Sequence, residues 1–305
     1  MWSLSTPVVF IIFNRPDVTQ KVFDEIAHIK PPKLLVIADG PRDNRLGEVE
    51  KCHLTRAIID QVNWKCEVLT NYSDKNLGCK ERIVSGLNWV FHEVEEAIIL
   101  EDDCLPDPSF FRFCSEMLER YRDDERIGMI SGDNFLPRNW IFDSDYYFSR
   151  YSHIWGWATW RRAWVKYDPE IVTWPSLRVQ GWLKSLGLKK SEQQYWGKMF
   201  DKVHVSEIDT WDYQWVYVCW FNNMLSVMPK VNLISNIGFG KDATHTKGGS
   251  IYANLPTQPI KFPLKESNII LPDTAADNFT ASNMFTLSIS RRIYRRFIAP
   301  LFLRR

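Results

Sequence analysis

The first hundred residues repeat one arrangement, in which a short apolar run is followed by a polar turn and then by a helical pattern. Such alternation is typical of a parallel β-sheet covered by helices. The apolar runs predict strands at 8–13, 34–38, 66–69 and 97–100. The patterns between them predict helices at 18–26, 49–62 and 83–90, with Asp17 as the cap of the first. The sequence therefore predicts an α/β fold with a Rossmann-like sheet flanked by helices.

Bulk properties narrow the class of protein. A chain of 305 residues, 45% hydrophobic and 25% charged, is typical of a globular enzyme. Its net charge of +1 excludes a global field that would recruit nucleic acid. Six cysteines without C-x-x-C spacing indicate reduced thiols and a cytoplasmic location. We expect neither a signal peptide nor a membrane-spanning segment.

Charged residues follow three of the predicted strands. Arg15 comes after the first strand, Asp39 after the second, and the triplet Glu101–Asp103 after the fourth. Because ligands collect at the carboxyl ends of strands in open α/β sheets, we expect these side chains to share one edge. Three adjacent carboxylates repel one another, which favours a bound Mg²⁺ or Mn²⁺ over the alternative of a solvated turn.

Four segments carry a resemblance to a known family. They are Phe13-Asn-Arg-Pro16, Ala38-Asp-Gly40, the stretch 98–111 and Trp211-Asp212. Across roughly the first 245 residues the chain resembles GT-A fold glycosyltransferases. It is most similar to the inverting N-acetylglucosaminyltransferases that start complex N-glycans or extend O-mannose, and to their bacterial sugar-transferase relatives. The resemblance implies a GT-A fold and a nucleoside-diphosphate sugar donor, with a UDP-sugar favoured.

The resemblance also implies roles for the residues of the predicted edge. Asp103 would ligate the metal, while Glu101 and Asp102 would contact the donor sugar or the ribose. Arg15 and Asp39 would hold the nucleotide, with Asp39 suited to the imide N–H of uracil. Without the resemblance, Arg15 reads as a surface charge beside a proline and Asp39 as a turn former beside a glycine.

A second cluster spans residues 208–215 and contains Asp209 and Asp212. Inverting transfer needs a carboxylate that takes the proton of the acceptor hydroxyl. Asp212 stands in a Trp-Asp pair like the one that supplies this base in the resembled family. Asp209 is either a helix N-cap, with Asp212 completing a capping box, or a substitute base.

Two further features bear on ligands. His245 lies in the polar, glycine-containing stretch 238–246, where it is either an added metal ligand or a structural or surface histidine. The aromatic group at 155–160 could stack on sugar faces, but core packing accounts for most tryptophans, so we expect only one or two to reach a substrate.

The domain boundaries follow from changes of pattern. Residues 1–255 are predicted to form the catalytic domain, with a nucleotide-sugar half at 1–135 and an acceptor half at 136–255. Residues 256–283 lack periodicity and predict a linker, followed by a basic amphipathic tail helix at 284–305. Its 289–305 helix either binds an anionic membrane surface on the inner face of the cytoplasmic membrane or packs on its own domain.

The sequence as a whole predicts a hexosyl- or N-acetylhexosaminyl-transferase. It would move a sugar to a glycan or lipid-linked glycan acceptor in bacterial surface polysaccharide or lipopolysaccharide assembly. The alternatives are a sugar-nucleotide pyrophosphorylase, which should carry a glycine-rich phosphate loop where Asn14-Arg15-Pro16 stands, and a non-catalytic carbohydrate-binding protein.

Overall fold

The computed structural model describes residues 2–239, 252–267 and 269–285. The strands are β1 (Val8–Ile12), β2 (Lys33–Ala38), β3 (Glu67–Tyr72), β4 (Glu96–Glu101), β5 (Cys104–Pro106), β6 (Ile127–Ser131), β7 (Tyr146–Ser149), β8 (Trp157–Trp160), β9 (Leu225–Pro229) and β10 (Ile234–Asn236). The helices are α1 (Pro16–Ile29), α2 (Glu48–Ala57), α3 (Cys79–Glu93), α4 (Ser109–Arg120), α5 (Arg161–Trp164), α6 (Trp174–Val179), α7 (Trp182–Ser185), α8 (Lys190–His204), α9 (Asp212–Phe221) and α10 (Thr274–Met284).

One mixed sheet organises the domain. Its strand order is β3-β2-β1-β4-β8-β6-β9-β7. The four strands β3, β2, β1 and β4 run parallel, and β8 pairs antiparallel with both β4 and β6. The predicted α/β fold with a Rossmann-like mixed sheet is confirmed. Because β8 inserts between β4 and β6, the two predicted halves share one sheet.

The sheet is covered on both faces. Alternate residues of β1 point to opposite sides, so Val8 and Phe10 belong to one core and Val9 to the other. The first core is closed by α1 and α4. The second is closed by α3, α8 and α9 and is rich in tryptophan. Strands buried on both faces explain the continuous apolar runs of the sequence.

The start of α1 differs from its prediction. Asp17 was expected to cap this helix, but α1 begins at Pro16, and Arg15 occupies the N-cap position without a capping side-chain bond. Proline fits the first helical position because its missing N–H would be unpaired there. Asp17 instead lies in the first turn, where a carboxylate still interacts well with the helix dipole.

The segment 256–283 was predicted to be a linker, and in the structure it is packed on the domain. Ile260 and Leu264 belong to the first core. Pro272 bridges to edge strand β7, and Asp277 of α10 accepts a hydrogen bond of 2.6 Å from the Ser149 hydroxyl. The linker prediction is wrong because an extended segment that buries single side chains leaves no periodicity. Within the described ranges no helix combines the length and apolarity needed to cross a bilayer.

A buried histidine gives a prediction for the pH dependence of stability. The His153 side chain is buried with its ring edge-on to Phe135 at 4.7 Å, and burial lowers its pKa from 6.5 to about 3. The folded state therefore keeps His153 neutral, whereas the unfolded chain takes up its proton below pH 6.5. Stability from this group is lost as the pH falls, by about 2 kcal/mol at pH 5. Urea unfolding at pH 7.5 and pH 5.0 should show that extra loss in the wild type and not in His153→Gln. Parallel losses in both proteins would assign the slope to other groups.

Candidate functional site

The predicted charged edge forms where the sheet reverses its winding. Chain connections run outward from β1 through β2 to β3, and then return to β4 on the other side of β1. Arg15 follows β1, Asp39 follows β2, and Glu101 ends β4. A crevice at such a switch point is the usual ligand site of open α/β sheets. The prediction that these residues share one edge is confirmed.

Arg15 bridges two carboxylates of the triplet. Its Nη2 pairs with Oδ1 of Asp102 at short range, and its Nη1 lies 2.8 Å from Oδ2 of Asp103. Asp102 is buried, while Asp103 and Glu101 are half-buried. In the described structure Arg15 therefore offsets part of the negative charge of the triplet.

The crowding of carboxylates perturbs their protonation. Burial raises the pKa of Glu101 to about 8, and the charges of Asp103 and Asp102 add to the rise. Burial likewise raises the pKa of Asp102 to about 6, although the Arg15 charge opposes it. For Arg15, burial alone would lower the pKa, but pairing with both aspartates outweighs it and raises the pKa. A site of this kind favours any further cation that can share the negative charge.

The two-stranded ribbon of β5 and β10 closes the crevice behind Asp103. The carbonyl of Asp103 accepts a bond of 2.8 Å from the backbone N–H of Ile237. A Cβ built on Gly238 would overlap Oδ2 of Asp103 and lie 2.7 Å from Nη1 of Arg15. A side chain at position 238 would therefore displace the ends of these two side chains from their present contact. Gly238 was not among the predicted site residues, and its signal in the sequence is its place at the start of the glycine-containing stretch around His245.

Asp39 uses its carboxylate within the protein. Its oxygens accept backbone bonds from Gly40 and Leu77, both at 2.9 Å, and from Gly78 at 3.2 Å, and they accept a side-chain bond of 2.9 Å from Asn76. A carboxylate has about four acceptor positions, so these bonds use its capacity. Asp39 therefore holds the loop that leads into α3. The predicted bond from uracil to Asp39 stays a prediction, and it would have to displace one of these partners.

Asp212 lies on the same edge as the triplet. It is the first residue of α9, it is half-buried, and the Thr210 hydroxyl donates to its Oδ1. Its charge adds to the rise in the pKa of Glu101 that burial begins. The preceding residue, Trp211, is fixed by a bond of 2.9 Å from the Tyr167 hydroxyl to its carbonyl. Asp212 therefore lies near the carboxylate that ends β4.

Asp209 does not have the expected place at the start of α9. The N-cap residue of α9 is Trp211, so the predicted capping box of Asp209 with Asp212 is absent there. The Asp209 carboxylate instead accepts backbone bonds from Cys79 at 3.0 Å and Lys80 at 2.9 Å, at the start of α3. Asp209 is thus a helix cap, as predicted, but it caps α3 and not α9. Spacing in the sequence indicates only contacts between neighbours in the chain, so it could not indicate this helix.

The aromatic group at 155–160 divides between core and edge. Trp157 and Trp160 are buried, and Trp157 stacks on Trp211 with centroids 5.5 Å apart. Trp155 is half-buried and meets Phe239 edge-on at 5.7 Å, next to the ribbon that backs Asp103. The expectation that only one or two of these tryptophans reach a substrate stays a prediction.

A cation at Asp103 fits the donor set of the crevice. Mg²⁺ in nucleotide sites is bound by one or two carboxylates, with substrate phosphates and water supplying the other oxygens. The described residues contain no group of three or more His, Cys, Asp or Glu side chains around one metal position, so the remaining ligands would have to be of that kind. His245 and the 289–305 helix lie outside the described residues.

Comparisons with known proteins add little to this geometry. No family model and no curated protein sequence matches the chain. One similar solved structure is a UDP-glucose pyrophosphorylase complexed with UDP-glucose, at 8% identity and a TM-score of 0.40, covering 74% of this chain and 90% of that one. Another is the 4-diphosphocytidyl-2C-methyl-D-erythritol synthase of Anaerococcus prevotii, at 8% identity and a TM-score of 0.37, covering 73% and 88%. Similarity at this level carries no argument about activity.

Proposed function

We propose that the chain is a metal-dependent glycosyltransferase that moves a sugar from a nucleoside-diphosphate sugar, with UDP favoured, to a glycan or lipid-linked glycan acceptor with inversion. The supporting observation is that Arg15 is held by two carboxylates of the triplet and that Asp212 lies near enough for its charge to add to the rise that burial gives the pKa of Glu101. Inverting transfer needs a base for the acceptor hydroxyl and positive charge for the leaving diphosphate. The crevice offers a carboxylate for the first and a guanidinium for the second.

The residues divide the work by position. Asp212 takes the proton of the acceptor hydroxyl as that oxygen bonds to the anomeric carbon and the bond to the nucleotide breaks. Glu101 and Asp102 orient the donor sugar or ribose through hydrogen bonds. Arg15, whose guanidinium is held at the crevice, donates to phosphate oxygens. A divalent cation bound at Asp103 would neutralise the charge of the departing diphosphate.

Arg15 and the cation would compete for Asp103. Both carry positive charge, and the 2.8 Å contact from Arg15 uses Oδ2 of that carboxylate. Arg15→Gln is therefore expected to bind Mn²⁺ alone about tenfold more tightly, since one charge-assisted bond is worth about 1.4 kcal/mol. The same variant should bind uridine diphosphate more weakly because a phosphate donor is lost. Calorimetric titration with each ligand separately measures both effects, and weaker binding of Mn²⁺ alone would contradict the competition.

A pyrophosphorylase is the second candidate, because it would use the same sheet and the same cation site at the switch-point crevice. Only three residues, 13–15, separate β1 from α1, and none is glycine. A short loop without glycine favours glycosyl transfer over a pyrophosphorylase, which should carry a glycine-rich phosphate loop at this position.

One set of assays separates the candidates. Titration with uridine and other nucleoside diphosphates, with and without Mn²⁺, should give metal-dependent binding for an enzyme and none for a carbohydrate-binding protein. Incubating the protein with a panel of sugar nucleotides and glycan acceptors should then release nucleoside diphosphate and form a glycoside. Formation of nucleoside triphosphate and sugar 1-phosphate on addition of pyrophosphate would instead establish the pyrophosphorylase.

Two parts of the proposal concern the second half of the chain. The acceptor would enter beside Trp155, whose half-buried face lies next to the crevice. Attachment of the 289–305 helix to an anionic membrane surface stays a prediction, and it would bring a lipid-linked acceptor to the crevice.

A further inference from the structure

A long-range cap joins the two halves of the chain at the crevice. The first N–H groups of a helix have no partner within it, and a carboxylate is the acceptor that the helix dipole favours there. At the start of α3, the N–H of Cys79 donates to Oδ2 of Asp209 at 3.0 Å and that of Lys80 donates to Oδ1 at 2.9 Å. Helix α3 belongs to the nucleotide half and Asp209 to the acceptor half, so one carboxylate fastens the two together.

The start of α3 is shaped to receive this carboxylate. Gly78 has φ +81°, in the left-handed region that favours glycine, and a Cβ at this position would lie 2.9 Å from Oδ2 of Asp209. The N–H of Gly78 is held at the same time by Asp39, which follows β2. Hydrogen bonds therefore connect Asp209, through the start of α3, to Asp39 at the carboxyl edge of the parallel sheet.

Asp209 stands three residues before Asp212. Between them, Thr210 donates its hydroxyl to Asp212, and Trp211 is held through its carbonyl by Tyr167. Because these two bonds hold the short segment between them, a displacement of residue 209 should also displace Asp212, the proposed base. We propose that Asp209 is a positioning residue that sets the place of Asp212 relative to the donor edge, and that it is not itself a base. Its role in transfer rests on the proposed function, whereas its hold on the 209–212 segment does not.

The test compares two caps of the same chemistry. Asp273 caps α10 by accepting backbone bonds of 3.0 Å from both Ala275 and Ala276, on the far edge of the sheet beside β7. Asp209→Ala and Asp273→Ala each remove two cap bonds, so each should lower Tm by about 2–4 °C. Asp209 is exposed, so the substitution itself should not disturb the core. Because a small misplacement of a catalytic group is costly, we expect Asp209→Ala to lower kcat about tenfold at unchanged donor KM. Asp273→Ala should change kcat less than about twofold. Asp209→Asn, which can still accept one of the two bonds, should retain an intermediate kcat.

Hydrogen exchange of peptides covering 205–215 measures the positioning without any substrate. Exchange there should rise in Asp209→Ala and stay at the wild-type level in Asp273→Ala. Unchanged exchange in 205–215, or equal kcat in the two alanine variants, would overturn the inference. If the wild type transfers no sugar, the proposed function fails, and the exchange comparison still decides whether Asp209 holds Asp212. Should Asp209→Ala not fold, Asp209→Asn supplies both measurements.

Discussion

Asp212→Asn is expected to lower the kcat of sugar transfer by about 10²- to 10⁴-fold, the usual contribution of a general base. Asparagine has nearly the same shape and can still accept the hydrogen bond from the Thr210 hydroxyl, so the start of α9 should stay in place. It has no basic oxygen, and the acceptor hydroxyl then has to attack without losing its proton to the protein. The donor KM and the affinity for uridine diphosphate should change little.

Steady-state kinetics with the best donor and acceptor from the panel measure this effect, with Asp60→Asn as the control. Asp60 is an exposed carboxylate in the 3₁₀ turn that follows α2, and it is not one of the proposed site residues. Retention of more than about a tenth of the wild-type kcat by Asp212→Asn would contradict the assignment, because loss of a general base costs at least 10²-fold. Glu101 would then be the next carboxylate to test, since it ends β4 at the same crevice.

Local patterns predicted the part of the molecule in which neighbours in sequence are neighbours in space. The apolar runs that form β1 and β4 are buried on both faces, so each can be predicted as a strand without knowing which strands it pairs with. The carboxyl edge followed from the rule that parallel strands end on the same side. The sequence alone therefore predicted that Arg15, Asp39 and the triplet lie at one edge of the sheet.

Contacts between distant segments could not be predicted in the same way. The insertion of β8 between β4 and β6 depends on pairing with β4 between residues about sixty positions apart and with β6 between residues nearly thirty positions apart. The sequence of β8 alone carries no signal for either pairing. The cap of α3 by Asp209 spans 130 residues, and the same Asp-x-x-Asp spacing suits a local capping box equally well. The assignment of Arg15 as partner of two aspartates likewise needed the register of β1 against β4.

Asp103→Asn is expected to weaken the Mn²⁺-dependent binding of uridine diphosphate by about 100-fold or more. Even residues that only orient a metal ligand typically contribute 10- to 100-fold to affinity, so loss of a ligand charge should cost at least as much. Asparagine keeps the size of the side chain and therefore leaves the approach of Gly238 undisturbed. Binding of uridine diphosphate in the absence of metal should be nearly unchanged, because Arg15 keeps its partner Asp102.

The matched control is Asp107→Asn, the same change four residues along, where the carboxylate bonds to the N–H of Ser109 at the start of α4. Calorimetric titration of the wild type and both variants, each with and without Mn²⁺, isolates the metal-dependent part of the affinity. If Asp103→Asn and Asp107→Asn bind alike, the cation does not use the triplet. The two variants should change the affinity for Mn²⁺ in opposite directions. Arg15→Gln removes a competing cation and should raise the affinity, whereas Asp103→Asn removes a ligand and should lower it. If the triplet were only a solvated turn that binds no cation, neither Arg15→Gln nor Asp103→Asn would change the affinity for Mn²⁺.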